Sequence, residues 1–215
     1  ATACLDAGKH VLVEKPLALD LGEAAGLARI ARGCRQRSVM GFHMRFHRLV
    51  RAARDIVATG ALGEIESIRS VWSSPREDEG LPAWRWRREQ GGGCLVELAV
   101  HHFDLWSFLT GRRVVEVMAQ SRSGTRDDES ASVTGWLDGG VLATAQFSER
   151  APHQIEIEIT GNSGRLRVDC LRYDGIDWTP SGAVPARVTQ RIATTVKAIT
   201  SLPAALLRAR RGGDY

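Results

Sequence analysis

The fold is decided by the stretch HVLVEKPL, residues 10–17. Its first half is a short apolar run, which is typical of a strand buried in a parallel sheet. Residues 1–8 are predicted to be the end of a helix, because they close on Ala7-Gly8, which is a helix-stop signal. The order of helix, turn and buried strand indicates an α/β fold.

A second helix and a second strand are predicted directly after this stretch. Asp20 is a good N-cap, and Glu23 stands at capping-box spacing from it. The helix should continue to about Arg32, and residues 38–42 then read as another buried strand. The resulting order, α-β-α-β with short connections, predicts a parallel α/β sheet.

The pattern changes near residue 48. An amphipathic helix is predicted over 49–59, and the remaining predicted strands are 65–72, 114–119, 132–137, 141–147, 155–159 and 166–168. Strict alternation in IEIEI, residues 155–159, places three isoleucines on one face of a strand and the glutamates toward water or a partner. Asp138-Gly139 between two apolar runs predicts a hairpin, so the second part should be an antiparallel sheet with one covered face. A further helix is predicted over 188–207.

Composition excludes several classes of protein. The chain is 43% hydrophobic and 25% charged, which is typical of a globular protein and not of a disordered one. No apolar run is long enough for a membrane span and no secretory signal is visible, so we expect a cytoplasmic protein without a membrane partner. The 29 basic residues are mixed with 25 acidic ones, which argues against a nucleic-acid surface. The four cysteines lie far apart and predict free thiols.

Lys15 is the first candidate site residue. It leaves the carboxyl end of a buried parallel strand, where open α/β sheets bind their ligands, and Pro16 fixes the turn that aims it. The alternative is a structural lysine at a strand end that pairs with Glu14.

The second candidate follows the glycines at 91–93. At helical periodicity Glu97, His101 and Asp104 share one face, so the two carboxylates should reach His101, raise its pKa and prepare it as a general base. The alternative is an ordinary histidine–carboxylate pair on a helix surface. His102 points to the apolar side and is predicted to be a packed structural histidine.

Two further motifs contain residue types that occur in binding sites. His43 and His47 are four residues apart, but the surrounding sequence reads as a strand that enters a loop, so no metal site is expected. Arg85 lies between two tryptophans, in a loop that we expect to border a polar ligand pocket and not to bind a single-stranded nucleic acid.

Together these motifs resemble the Gfo/Idh/MocA oxidoreductases. The resemblance rests on Glu14-Lys15-Pro16, on Gly41-Phe42-x-x-Arg45-Phe46, and on the triple glycine before Glu97-x-x-x-His101-x-x-Asp104. It implies that residues 1–48 are the C-terminal part of a Rossmann NAD(P)-binding domain. Residues 49–215 would then be an α+β domain for substrate and oligomerisation, with an open, mostly antiparallel sheet.

The resemblance also implies roles for individual residues. Lys15 would hydrogen-bond the reacting oxygen and the cofactor ribose, and His101 would be the general base. Pro16 matches the proline that follows this lysine in the family, and the peptide bond before that proline is often cis. The implied catalytic residues are Lys15, His101 and Glu97. The residues implied to bind the cofactor are Glu14, Lys15, Pro16 and Arg45. The residues implied to bind the substrate are Lys15, His43, Arg85, Glu97 and His101. The sequence departs from the family at three of its positions, with Glu97 in place of Asp, Ala99 in place of Gly and His43 in place of Asn.

The implied function is NAD(P)-dependent oxidation or reduction of a secondary alcohol of a sugar, cyclitol or related polyol, in a homo-oligomer that assembles through the open sheet. Three alternatives stay open. One is NAD-assisted glycoside hydrolysis in the same family, and another is a non-catalytic module for sugar binding or assembly. The third is a metal hydrolase that uses Glu97, His101 and Asp104.

The absence of one glycine motif from the sequence leads to a prediction about cofactor binding. No G-x-G-x-x-G turn occurs in the sequence, and this turn supplies most of the anchoring of a dinucleotide. We therefore expect the 215-residue chain to be inactive and to bind NAD(P) no more tightly than the millimolar range, roughly −4 kcal/mol, in calorimetry. Micromolar binding would contradict this expectation.

Overall fold

The protein is described by a computed structural model that covers residues 1–77 and 79–182. Its helices are α1 (Thr2–Asp6), α2 (Leu21–Gly33), α3 (Arg48–Ala58) and α4 (Val100–Thr110). Its strands are β1 (Val11–Val13), β2 (Ser38–Met40), β3 (Ile65–Ser73), β4 (Val114–Arg122), β5 (Ser130–Leu137), β6 (Val141–Ser148), β7 (Gln154–Gly161), β8 (Gly164–Asp169) and β9 (Ile176–Pro180). The strands form one sheet of two and one sheet of seven.

The first part is the predicted parallel α/β unit. Strands β1 and β2 run parallel, with Val11 opposite Ser38 and Val13 opposite Met40. Helix α2 begins as the capping pattern predicts, because the Asp20 side chain accepts a hydrogen bond of 2.9 Å from the backbone N–H of Glu23.

The prediction that these two strands are buried was wrong. Leu12 is 68% exposed and Val39 is 52% exposed. Among the described residues the two strands pair only with each other, and the face of this sheet that carries Leu12 and Val39 is exposed.

The second part is the predicted open and mostly antiparallel sheet. Its strand order is β4-β5-β6-β3-β7-β8-β9, and only the β3–β6 pair is parallel. The hairpin between β5 and β6 turns at Asp138–Gly140, where the two glycines adopt positive φ. Strand β9 was not predicted, and the helix predicted over 188–207 lies outside the described residues.

One face of the large sheet carries the core. The alternation in β7 holds, since Ile157 and Ile159 are fully buried. Helices α3 and α4 supply the other side, including Trp106, whose indole N–H donates a 2.8 Å hydrogen bond to the Ser70 hydroxyl on β3. Each fully buried apolar side chain of this kind contributes about 2 kcal/mol of transfer free energy.

The opposite face of the large sheet, here called the outer face, carries ion pairs between strands. Glu156 pairs with Arg167 at 2.7 Å, and Glu158 lies 3.6 Å from Arg69 and 3.7 Å from Arg165. The glutamates predicted to face water or a partner thus meet arginines of the neighbouring strands. None of the helices in the described ranges is both long and apolar enough to cross a membrane.

Candidate active site

Lys15 connects the two parts of the chain. It follows β1, and its Nζ donates a 2.9 Å hydrogen bond to the backbone carbonyl of Glu97. Burial lowers the pKa of the Lys15 ammonium, and the charges of Arg76 and Arg85 lower it further, whereas Glu97 and Glu14 oppose this. The peptide bond between Lys15 and Pro16 is cis, as the resemblance implies.

The triple glycine is required by close approaches of the backbone. A Cβ on Gly92 would lie 2.3 Å from the carbonyl oxygen of Arg85, a distance that no side chain allows. Gly93 has φ +86°, and a Cβ there would lie 2.8 Å from the Cβ of Asp128. After the glycines the chain forms a π-helical turn, Leu95–Ala99, which continues into α4. Such wide turns occur frequently at functional sites.

His101 lies at the start of α4 and is 3% exposed. Its ring centroid is 4.6 Å from that of His43, in edge contact, and 5.5 Å from that of Trp72. Its buried Nδ1 has no hydrogen-bond partner in the described part of the chain. Burial, followed by the charges of His43 and Lys15, lowers the pKa of His101 to about 4.

The expectation that Glu97 and Asp104 raise the pKa of His101 was wrong. Asp104 instead holds Arg45, which donates to it through Nε at 2.7 Å and through Nη2. The carboxylate of Glu97 is held by Arg76 at 2.9 Å and lies 3.5 Å from Arg85. Both carboxylates are therefore neutralised by arginines, and the desolvation of the ring dominates its pKa.

Arg76 and Glu149 contact the candidate site, and no sequence pattern identifies them. Arg76 lies between two buried carboxylates, since its Nε is 3.2 Å from Glu149 while its Nη2 binds Glu97. Glu149 also lies 3.5 Å from Arg126, and burial raises the pKa of Glu149. No spacing rule connects these residues, because they follow different strands of the sheet.

Three more of the predicted site residues, Arg85, Arg45 and Glu14, contact neighbouring side chains or backbone. Arg85 stacks over the ring of Trp84 at 5.0 Å while it faces Glu97. Arg45 packs against the rings of Phe42 and Phe108. Glu14 lies beside Gly41, where an added Cβ would come within 2.8 Å of the Glu14 carboxylate.

His102 is fully buried, as predicted for a structural histidine. Its ring centroid lies 5.3 Å from that of Trp72 and 5.8 Å from that of Phe147. Burial lowers the pKa of His102 to about 3, so its ring is neutral in the core.

These groups fit the nicotinamide end of a dinucleotide. Lys15 and Gly41 follow the carboxyl ends of two adjacent parallel strands, which is where open α/β sheets bind dinucleotides. An ammonium and a neutral imidazole supply the donor and the acceptor that a ribose hydroxyl and a reacting alcohol need. Glu14, Lys15 and Pro16 would hold that end of the cofactor.

Comparison with protein families gives the same class. A model described as the GFO/IDH/MocA C-terminal domain matches residues 50–167, and one described as an oxidoreductase family with an NAD-binding Rossmann fold matches residues 1–42. The fold and these matches define the class, an oxidoreductase family with an NAD-binding Rossmann fold. The chain belongs to the Gfo/Idh/MocA family.

Individual relatives agree with this assignment. The chain is 27% identical to the myo-inositol 2-dehydrogenase of Thermotoga maritima over 79% of this chain and 52% of that protein. It is 32% identical to the 1,5-anhydro-D-fructose reductase of Ensifer adhaerens over 76% of this chain and 51% of that protein. An oxidoreductase domain protein from Kribbella flavida superposes with a TM-score of 0.74 at 29% identity, over 86% of this chain and 56% of that one. The chain spans about half the length of the curated relatives it matches.

The site predicts a stability effect for Arg76. Arg76→Met would leave the buried carboxylates of Glu97 and Glu149 short of a cation, so it should lower the free energy of unfolding in urea by about 3 kcal/mol. Arg165→Met is the control, because Arg165 is exposed and its pair with Glu158 should be worth less than about 1 kcal/mol. Equal losses in the two variants would contradict a structural role of the Arg76 bridge.

Proposed function

We propose that the protein uses NAD or NADP to oxidise or reduce a secondary alcohol of a sugar, cyclitol or related polyol. The proposal rests on one observation above all: Lys15, at the carboxyl end of β1, lies against the segment that carries His101. Membership in an oxidoreductase family supports it, as do relatives named for reactions on inositol and anhydrofructose.

The roles of the residues follow from their environments. The ammonium of Lys15 would donate a hydrogen bond to the reacting oxygen and stabilise negative charge on it. His101 is unprotonated at neutral pH, since burial lowers its pKa to about 4, and it can therefore accept the proton of the hydroxyl. A bound dinucleotide would supply the hydride acceptor for the carbon that bears this hydroxyl.

Arg76 and Arg85 hold the carboxylate of Glu97, which places its backbone carbonyl against Lys15. This arrangement orients the lysine toward the site. We expect Glu97 and Arg85 to border the substrate, and Arg45 to hold α4 in place through Asp104.

A prediction follows for the base and the lysine. In a protein with its complete nucleotide-binding domain, His101→Ala should lower kcat by ~10²-fold or more with little change in cofactor affinity, because its role is proton transfer. Lys15→Ala should impair both turnover and substrate binding. The acid limb of the kcat/KM profile for alcohol oxidation should lie near pH 4, where His101 becomes protonated, and not near 6.5. His153→Ala, at an exposed loop position, is the control.

Steady-state kinetics with a panel of polyols and sugars would test these values. Unchanged kcat in His101→Ala would remove His101 from the reaction, and a loss of thermal stability alone in Lys15→Ala would make that lysine structural. Product analysis distinguishes a dehydrogenase, which forms a ketone, from NAD-assisted glycoside cleavage. A wild-type protein that turns over no polyol or sugar would favour a binding module.

We also propose that the outer face of the large sheet joins copies of the protein. Met118, Trp136 and Leu142 are exposed on that face, and Trp136 lies opposite Leu142 in the β5–β6 pair. Exposed apolar side chains grouped in this way are typical of an interaction surface.

Light scattering tests the interface. The wild-type protein should be an oligomer, and Trp136→Glu should shift it toward the monomer, since a charge would be buried in the contact. Leu171→Glu is the control, because Leu171 is exposed in the turn after β8. A wild-type protein that stays monomeric at high concentration would contradict the proposal.

A further inference from the structure

A buried general base needs a route by which its proton leaves. Around the His101 ring lie the side chains of His43, Trp72 and Phe42, with centroids at 4.6, 5.5 and 6.3 Å. An indole N–H can only donate and a phenyl ring has no lone pair, so neither of the other two rings can accept a proton. Of these three rings, that of His43 is the one that can accept a proton.

The charged groups near His101 are already engaged. The Lys15 ammonium binds the Glu97 carbonyl, and a cation cannot accept a proton. The Glu97 carboxylate is held by Arg76 and Arg85. The Asp104 carboxylate, on the same helix as His101, is held by Arg45. Neither carboxylate forms a hydrogen bond with the ring in the described residues.

His43 connects this buried ring with solvent. It begins a short 3₁₀ turn, His43–Phe46, that follows β2, and its side chain is exposed. The two rings are in edge contact at a centroid separation of 4.6 Å, and no hydrogen bond joins them in the described residues, so one water between their nitrogens would carry the proton. An exposed imidazole also exchanges protons with water and buffer more readily than a buried one.

We propose that His43 relays to solvent the proton that His101 takes from the substrate. The chemical step rests on the function proposed above. In that step the O–H bond breaks and its proton goes to His101, while the electron pair of the adjacent C–H bond leaves as hydride to the nicotinamide. The proton then passes from His101 to His43 and from His43 to water, which is the proton that alcohol oxidation by NAD(P)⁺ must release.

Asparagine is the informative replacement. It preserves a polar side chain that can donate and accept hydrogen bonds beside His101, but it cannot carry a proton. His43→Asn therefore separates proton relay from simple positioning of the ring. His153→Asn is the matched control, since it makes the same substitution at an exposed histidine outside the site.

The first experiment measures kcat in a protein with its complete nucleotide-binding domain, in dilute buffer and with added imidazole. His43→Asn should lower kcat by about 10-fold or more with little change in KM, and imidazole should restore much of the loss. The solvent deuterium isotope effect on kcat should rise in the same variant. His153→Asn should match the wild type in both respects.

The second experiment needs no turnover. NMR titration of the histidine rings in the 215-residue chain should give His101 a low midpoint, near pH 4, that rises in His43→Asn because a neighbouring positive charge is removed. His153→Asn should leave the midpoint unchanged. An unchanged midpoint in His43→Asn would overturn the contact on which the relay depends.

The two proposals fail in different ways. A wild-type protein that oxidises no alcohol would overturn the proposed function and, with it, the chemical step of the relay. An active wild type combined with a His43→Asn variant of normal kcat, or with a loss that imidazole does not restore, would overturn the relay alone.

Discussion

The ion pair between Arg76 and Glu97 is the contact on which the site depends. The two side chains meet at 2.9 Å, and the Glu97 side chain is only 8% exposed, so the loss of the cation would leave a buried charge. Arg76 also meets Glu149, directly after β6, and thereby fixes the π-helical turn against the end of the large sheet. Lys15 donates to the carbonyl of the same Glu97. The parallel strands and the large sheet therefore meet at the residue that Arg76 holds.

The sequence predicts which residues occupy the site better than it predicts how they pair. The sequence makes Lys15 a candidate because it ends an apolar strand, and His101 because it follows the glycines at helical spacing. The pairing of Glu97 with His101 assumed an α-helix, in which residues four apart are neighbours. The turn Leu95–Ala99 is instead π-helical, and the extra residue in such a turn moves Glu97 out of register with His101. Arg76 and Glu149 could not be found, because their contacts depend on the folded sheet.

A similar distinction applies to the strands. Alternation predicted β5, β6 and β7 because each has one face in the core. Strand β4 runs to Arg122, beyond the predicted end at 119, since its last residues are polar and pair through the backbone at an edge of the sheet. Strand β9 carries little apolar alternation, and its pairing with β8 defines it. The sequence therefore predicts strands with a buried face and misses those that rely on backbone pairing.

The environment of His101 favours one direction of the proposed reaction, because only that direction starts from the unprotonated ring. A pKa of about 4 in place of 6.5 disfavours the imidazolium by about 3 kcal/mol, so the ring is a ready proton acceptor at neutral pH. The Lys15 cation contributes to that shift, and the same cation would stabilise negative charge on the substrate oxygen. The charge of Lys15 thus favours both the loss of the hydroxyl proton from the substrate and the later loss of that proton from the His101 ring. Reduction requires the opposite, a protonated His101, which this environment makes scarce at neutral pH. In the proposed reaction this environment favours removal of the hydroxyl proton, whereas the reverse reaction needs a proton delivered to His101 in each turnover.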